Sequence, residues 1–577
     1  MTSKRINKLI CKMGSLFVLL AFATAACLHT RLSAQELSGT KGGLQGVVTD
    51  SSGAVIPGAT VTVKGNSDTR SLTTNGAGHW EALDLTPGLY SVTVEREGFS
   101  QTEAKGIEAQ INRVSGVNLV LQTGAVAQTV QVDATATTID TGSTALGSNL
   151  TASFYSQVPV ARDVGSLFYT APGVTNSGGS GTANPSIGGA SGLENQYIAD
   201  GVNITDAGYG GIGVYSPIYG SLGTGINLTF IQEVQVKTGA FEPKYGDGDG
   251  GVIQIVTKSG GTAYHGALAA FFAPGGMSSA WRYPDDYFQR VNVRGRIVAL
   301  PQYDASAEFG GYVPGAHLKD KLFFFGAYNP ALNEFYWNTP AGAGLVGPFT
   351  NKTTSNDYAG KVTFRLNEGT SVDASVFSDP SRTNAGFGFA SADTFPNYPQ
   401  LNLANQTGFS RWNYGTRSET LHISSSLSPT WQLDISATAK RSHFNEVGLQ
   451  NVYQIIDESG AVSAGQFTAQ GLGFTQNPTV HDYGFGIDTE KTVNFHGQHT
   501  FSIGWGYTHS IYALDKAYSG GYFTFPTAND IGTPVASISS NPAVAGSTAN
   551  AAFNLQYAAP NPVTGLVDCA PRSESVV

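Results

Sequence analysis

The stretch from Phe230 to Gly266, FIQEVQVKTGAFEPKYGDGDGGVIQIVTKSGGTAYHG, decides how the rest of the chain is read. It holds two strand-like runs, Ile231 to Lys237 and Gly251 to Lys258, around a turn rich in Gly and Asp. Val234 and Val236 alternate with polar residues in the first run, and Val252 and the Ile255-Val256 pair mark the second. Glycine reaches backbone angles closed to other residues, so the intervening segment can turn tightly and the two runs can form a small sheet.

Upstream lies Gln196-Tyr197-Ile198-Ala199-Asp200-Gly201-Val202-Asn203-Ile204, and further upstream Val158-Pro159-Val160-Ala161-Arg162-Asp163-Val164. These motifs, in this order, resemble the plug domain of TonB-dependent outer-membrane receptors, with its opening "L-P-x-x-x-R-D", its "Y-x-x-D-G-V" and its closing "G-G-x-I-x-x-x-T-K". The resemblance implies a plug over residues 146–262, with Gly178 to Gly181 and Gly208 to Gly213 in its loops. Asp247 and Asp249 lack the further oxygen ligands and closing Glu of a calcium loop, so they read as a polar turn.

Residues 42–122 carry short alternating runs, Leu44 to Thr49, Ala59 to Lys64, Tyr90 to Arg96 and Val117 to Leu121. Turn signals at Asp50 to Gly53, Asn75-Gly76 and Pro87-Gly88 separate them, a spacing that predicts a small β-sandwich. Gly46 to Asp50, Pro57 to Val61, Thr74 to Gly76 and Pro87 to Tyr90 resemble the carboxypeptidase regulatory-like domain, a non-catalytic, transthyretin-like sandwich. His79 and Glu81 read as strand residues and not as a metal pair.

Residues 123–145 lack a core pattern and read as a linker. Within it Gln128, Thr129, Val130, Gln131 and Val132 form a short, uncharged, β-prone segment. The resemblance implies a TonB box here, an extended peptide that adds as a strand to the periplasmic protein TonB. The alternative is that these residues are the last strand of the sandwich.

Beyond residue 262 the pattern reads as hairpins without recourse to any family. Tyr358, Gly360, Val362, Phe364 and Leu366 alternate with polar residues, turn at Asn367 to Gly369, and continue in Val372, Ala374 and Val376. Leu421, Ile423 and Leu427 turn at Ser428 to Thr430 into Trp431, Leu433 and Ile435; Val493 and Phe495 turn into Phe501, Ile503 and Trp505. Long polar segments, about residues 380–411, 446–481 and 514–551, separate the hairpins. Short turns alternating with long loops predict a partial outer-membrane β-barrel over residues 263–577, turns in the periplasm and loops outside. Tyr328, Trp412 and Trp431 are expected in interfacial girdles. Lys319 to Phe325 resembles the "K-D-K-x-F-F-F" that opens an early barrel strand in these receptors.

The N-terminus fits export. Lys4, Arg5, Lys8 and Lys12 precede an apolar run, Leu16 to Ala26, too short to span a bilayer, and cleavage after Ala34 is expected. Cys27 leaves a lipid-anchored alternative. Cleavage removes five basic residues and takes the formal net charge from −10 to −15, which disfavours binding of nucleic acid. Only Cys569 remains of the three cysteines, so no disulfide framework is expected. No later run is apolar enough for a spanning helix, so a membrane form requires a closed barrel.

The expected fold is therefore all-β: a sandwich, a plug and the N-terminal part of a barrel that, by resemblance, has twenty-two strands. Nine or ten strands can be placed after the plug, the last near Ala552 to Tyr557, and the chain reads as C-terminally truncated. The resemblance implies a Gram-negative outer-membrane receptor with a periplasmic N-terminal domain. Its implied partners are TonB with the inner-membrane energising complex, outer-membrane lipid and an extracellular ligand. An oligosaccharide, a siderophore or another large solute would be taken up through it. A barrel-anchored adhesin is the alternative. Trp281, Tyr283, Tyr287 and Trp337 are candidate stacking residues for a ligand. No cofactor, metal or catalytic set is expected: His481-Asp482 and Glu419 with His422 read as isolated structural pairs.

Overall fold

A computed structural model describes residues 39–518. It leaves out 125–128, 133–145, 159–161, 178–182, 217–219, 274–295, 339–348, 386–409, 449–453, 458–466, 471–473 and a few turn positions. Ala34, Gln128, Asp247, Trp281, Tyr283, Tyr287, Cys569 and the strand expected near Ala552 lie outside the described residues.

The N-terminal unit is a sandwich of nine strands: β1 (Gly42–Asp50), β2 (Thr60–Lys64), β3 (Thr69–Thr73), β4 (His79–Leu85), β5 (Gly88–Glu95), β6 (Gln101–Ala109), β7 (Val114–Gly116), β8 (Leu119–Leu121) and β9 (Thr129–Val132). One sheet runs β4-β1-β7, with β8 also on β1; the other runs β3-β2-β5-β6-β9. Period-two alternation turns Val61, Val63, Val92 and Val94 inward against Leu44, Val48 and Trp80. Gly46 has no room for a side chain, because a Cβ there would sit 1.8 Å from the Val117 carbonyl oxygen.

The second unit holds β10 (Leu146–Thr151), the short helices α1 (Ala152–Tyr155) and α2 (Val164–Phe168), and the strands β11 (Val174–Thr175), β12 (Ser186–Ile187), β13 (Gln196–Ala199), β14 (Val202–Asn203), β15 (Val214–Ser216), β16 (Gly220–Leu222), β17 (Ile231–Gly239) and β18 (Val252–Thr257). Its main sheet runs β10-β17-β18-β13-β14. The quoted stretch forms the β17–β18 antiparallel pair, with Val234 opposite Ile255 and Val236 opposite Ile253. The Tyr197 strand adds to it in parallel. Asp163 caps α2 by accepting from the Ser166 amide at 2.8 Å. Phe168, Tyr197, Phe230 and Ile253 form the core of this unit.

The third unit is one curved antiparallel sheet. Its strands are β19 (His265–Ala273), β20 (Arg296–Tyr312), β21 (Leu322–Asn338), β22 (Phe349–Asn367), β23 (Thr370–Ser378), β24 (Ser381–Ala385), β25 (Ser410–Ser428), β26 (Trp431–Gly448), then a small hairpin β27 (Gln454–Asp457) and β28 (Phe467–Gln470), and finally β29 (Phe474–Asn494) and β30 (Gln498–Tyr518). Each neighbour in the main order β19-β20-β21-β22-β23-β25-β26-β29-β30 is hydrogen-bonded, with β24 bridging β22 and β25. The strands reach further into the polar segments than alternation of apolar residues indicated, since β29 and β30 have 21 residues each. Such a strand extends about 70 Å, well over the ~25 Å apolar band of an outer membrane, so its outer part stands clear of lipid and carries polar residues on both faces.

The two faces of the wall are chemically opposite. On β25, Thr416, Ser418, Thr420, His422 and Ser424 are buried inward, while Leu421 is exposed outward. On β22, Lys361 and Thr363 face in and Val362 and Leu366 face out. Tyr328 and Trp431 lie on the outer face at 46% and 43% exposure, as girdle residues should. Trp412 does not. It is 7% exposed, packs on Phe444 and Val214, and donates from Nε1 to Ser410 Oγ and Glu446 Oε1, both at 3.0 Å. Its place in the alternation, even-numbered with Thr416 and Ser418, points it into the lumen, and aromatic identity alone could not show this.

Candidate functional site

The functional geometry lies where the three units meet. At its centre is Asp200, the acidic residue of the Tyr197–Val202 motif, held at φ +46° in the tight turn after β13. Its carboxylate accepts from the Thr257 amide (2.9 Å) and hydroxyl (2.7 Å) at the end of β18. It also accepts from Lys361 Nζ on β22 (3.0 Å) and Ser375 Oγ on β23 (2.8 Å). Burial alone would push this carboxyl up, but Lys361 and the hydrogen bonds outweigh it and hold Asp200 below the usual carboxylate range. One side chain thus closes the plug sheet and fastens it to two strands of the wall.

Two further joints of the same kind lie nearer the loop side. Asp379, between β23 and β24, accepts from the amides of Thr224 (2.9 Å) and Gly225 (2.8 Å) on the plug and of Thr416 (2.7 Å) on the wall. Gly223 and Gly225 have φ near +70°, which suits the close approach. Lys440, buried on β26, donates to the carbonyls of Ile204 (3.2 Å) and Thr205 (2.9 Å) and pairs with Asp482 (3.1 Å). Above these joints the β15–β16 hairpin seats Val214 and Leu222 against Trp412, Tyr414 and Phe444. Tyr209 stands beside it, its ring 4.7 Å from Tyr215 and 5.7 Å from Tyr512 of β30.

Toward the turn side the sandwich docks end-on. Its 110–113 turn enters a polar recess of the plug sheet: the Ile111 amide donates to Glu233 Oε2 (3.1 Å), and Asn112 Nδ2 donates to Gln235 Oε1 (2.9 Å) and Gln254 Oε1 (2.6 Å). Asn149 Nδ2 donates to the Ile111 carbonyl at 3.1 Å. Burial pushes the Glu233 carboxyl up to about 8. The same end of the sandwich meets the wall. Arg365 donates to Asp68, Lys41 pairs with Asp373 at 3.5 Å, and Gln432 Nε2 donates to Asp84 at 3.0 Å. Asp68 also accepts from Tyr90 Oη and the Thr86 amide, each at 2.8 Å. Burial raises its carboxyl, but Arg365 and Lys41 reverse this and leave it below the ordinary value.

Of the residues singled out for strand addition, Thr129 to Val132 form β9, parallel to β6 with Thr102 opposite Val130. β9 is the end strand of its sheet, so β6 takes one side of its backbone. Trp337 lies in β21. The paired acids and histidines do not converge: Glu419 is on the outer face with Arg417 (2.6 Å), while His422, inward, meets Asp434 at 3.0 Å. Asp482 is inward on Lys440, and His481 is the next residue along β29. The joints at Asp379, Arg365 and Lys440 carry no local motif. Asp200 alone among these residues sits in a quoted motif; Arg365 falls in a stretch read only as one strand of a hairpin.

Comparison with known proteins finds the following similarities. The carboxypeptidase regulatory-like domain profile matches residues 43–122. The TonB-dependent transporter Oar of Myxococcus xanthus is 26% identical over 347 residues, which cover 54% of this chain and 31% of the relative. The chain therefore spans about a third of the length of that curated relative. Among solved structures, the outer-membrane transporter YddB of Escherichia coli aligns with TM-score 0.48 at 14% identity, over 63% of this chain and 48% of that one. The siderophore receptor PirA of Acinetobacter baumannii aligns with TM-score 0.44 at 16% identity, over 64% and 48%. The outward apolar face of the wall fits an outer-membrane location. The chain is a homologue of the TonB-dependent transporter Oar and carries a carboxypeptidase regulatory-like domain at residues 43–122.

Proposed function

We propose that this chain is the N-terminal part of an energised outer-membrane transporter. Residues 1–34 direct export, 42–122 form the periplasmic sandwich, 146–262 the plug and 263–577 part of the wall. An extracellular ligand, an oligosaccharide, siderophore or other large solute, binds at the loop side. TonB and its inner-membrane complex then pull on the segment Gln128 to Val132, and the plug rearranges. The chain makes and breaks no bond in its cargo, and the acid–histidine pairs, which the sequence reads as isolated and structural, face apart.

The observation that carries this reading is the nature of the plug–wall contact. Asp200, Asp379 and Lys440 join the two through hydrogen bonds and ion pairs, which water can replace one at a time. Beside these joints, Ala359 and Phe377 of the wall pack on the plug core and Val214 and Leu222 on Trp412, Tyr414 and Phe444, so a shift of the plug must also part these apolar contacts. That Thr129 to Val132 already lie extended at a sheet edge supports their use for strand addition.

The test uses the full-length protein and the purified periplasmic domain of TonB. Proline at Val130 fixes φ and removes a backbone donor. Val130→Pro is expected to abolish co-purification with TonB while leaving heat-resistant barrel mobility unchanged. Undiminished binding by the variant would place the TonB contact elsewhere.

A further inference from the structure

A cavity of about 630 Å³ lies between the plug and the wall at the turn side, bounded by Gln196 and Gln254 of the plug and by His422, Asp434 and Asp488 of the wall. Its remaining border includes Gly39, where the chain leads into the sandwich. Gly39 passes so close over the plug that a Cβ on it would lie 3.3 Å from Gln254 Nε2 and 3.6 Å from Tyr245 Oη. Two residues later Lys41 is anchored on Asp373 of β23. The lead-in therefore borders the cavity at Gly39 and is held in place by Lys41 on Asp373.

The docking is built to separate. The hydrophobic cores of sandwich and plug share no residue. What joins the sandwich to the plug is polar, Asn112 on Gln235 and Gln254, Ile111 on Glu233 and the Thr262 amide on the Asn66 carbonyl at 2.8 Å, and so are its ties to the wall, Arg365 on Asp68 and Lys41 on Asp373. Interfaces of this kind within a chain come apart as units, because each surface is wettable once exposed. They are also cooperative, since loss of one buried partner leaves the other charge uncompensated.

We propose that the sandwich is a detachable gate. Docked, it narrows the periplasmic end of the plug–wall cavity with the lead-in at Gly39; undocked, it opens an exit there without any movement of the plug core. This goes beyond the transport reading, because it assigns the closing of the exit to the sandwich and not to the plug, and it needs neither TonB nor a cargo to be tested.

The experiment uses the full-length protein in detergent, its native cysteines replaced, with Gln196→Cys as a reporter in the cavity. The probe is a maleimide carrying a 2 kDa polyethylene glycol chain. Labelling is expected to be slow in this protein and about tenfold or more faster when Arg365→Ala removes the partner of Asp68, in line with the cost of an unpaired buried charge. A disulfide from Asn66→Cys with Thr262→Cys staples the sandwich to the end of the plug. Oxidised, it is expected to return the Arg365→Ala protein to slow labelling, and reduction to release it, which a merely misfolded variant would not do. Equal rates in reporter, Arg365→Ala and oxidised stapled proteins overturn the gate. So does fast labelling of the stapled Arg365→Ala protein, which would put the opening in the plug.

Discussion

Lys361 Nζ lies 3.0 Å from Asp200 Oδ1, with both side chains at most 7% exposed. The first residue lines the wall and the second closes the plug, so neither charge is stable in place without the other. Lys361→Met is expected to cost about 3–5 kcal/mol by stranding a buried carboxylate. Asp200→Asn with Lys361→Met should recover most of that loss. Thermal midpoints of the parent, both single variants and the double variant in detergent test the coupling, and additive losses in the double variant would contradict it.

Acidity should tighten the joints of the sandwich with the plug and the wall. Burial pushes Glu233 up to about 8, and burial with the nearby Asp434 pushes Asp84 up to about 6. Both start near 4 in an unfolded chain, so between about pH 4 and 8 the folded state binds more protons than the unfolded one. The contribution of these groups is therefore most favourable below about pH 4, declines as pH rises through the folded values, and is flat above about 8. Glu233→Gln should flatten the upper part of that decline and Asp84→Asn the lower part, in melts taken from pH 5 to 9. Asp68 and Asp200 act in the opposite sense: their stabilisation is present above the unfolded value of 3.8 and is lost as pH falls through their lowered folded values. An unchanged slope in Glu233→Gln would remove Glu233 from this account.

Trp412 and Trp431 offer a contrast on neighbouring strands. Trp412→Ala removes the wall side of the β15–β16 seat and should destabilise by about 3 kcal/mol or more, as large aromatic deletions in packed sites do. Trp431→Ala removes an outward ring bonded to Thr489 at 2.9 Å. It should leave the plug hairpin as resistant to protease as before. Similar protease sensitivity in the two variants would show that Trp412 does not support the hairpin.

Gly46→Ala places a methyl group against the Val117 carbonyl and the Trp80 ring, where nothing can give without parting β1 from the β7–β8 segment. Overpacking of this kind costs about 1–3 kcal/mol even where side chains can adjust. The sandwich should be cleaved by protease faster than in the parent chain, while the wall stays intact. Equal cleavage rates would mean that the domain absorbs the methyl group.

Much of this fold was legible in the sequence because alternation is a local property. Val234 with Ile255, Val362 with Ala374 and Ile423 with Ile435 each pair within one hairpin, and the register follows the short turns. The side chains that join the units were not legible for the opposite reason. Arg365 and Asp68 are 297 residues apart, and neither lies in a motif. A lumen lined by polar residues also looks like any solvated strand face until a plug fills it. Trp412 shows the same limit: its neighbours, not its ring, decide which side of the wall it occupies. β9 was open to two readings, and its pairing with β6 makes it a sandwich strand without removing its free side.

The inward face of β25 (Thr416, Ser418, Thr420, His422, Ser424) repeats small hydroxyls at nearly every turn of the pleat. Hydroxyls rotate, and they donate and accept with equal ease. Such a surface offers the plug interchangeable hydrogen-bond partners along its length, and the buried cations Lys361 and Lys440 mark the places on the wall where the plug is held by charge and in fixed register.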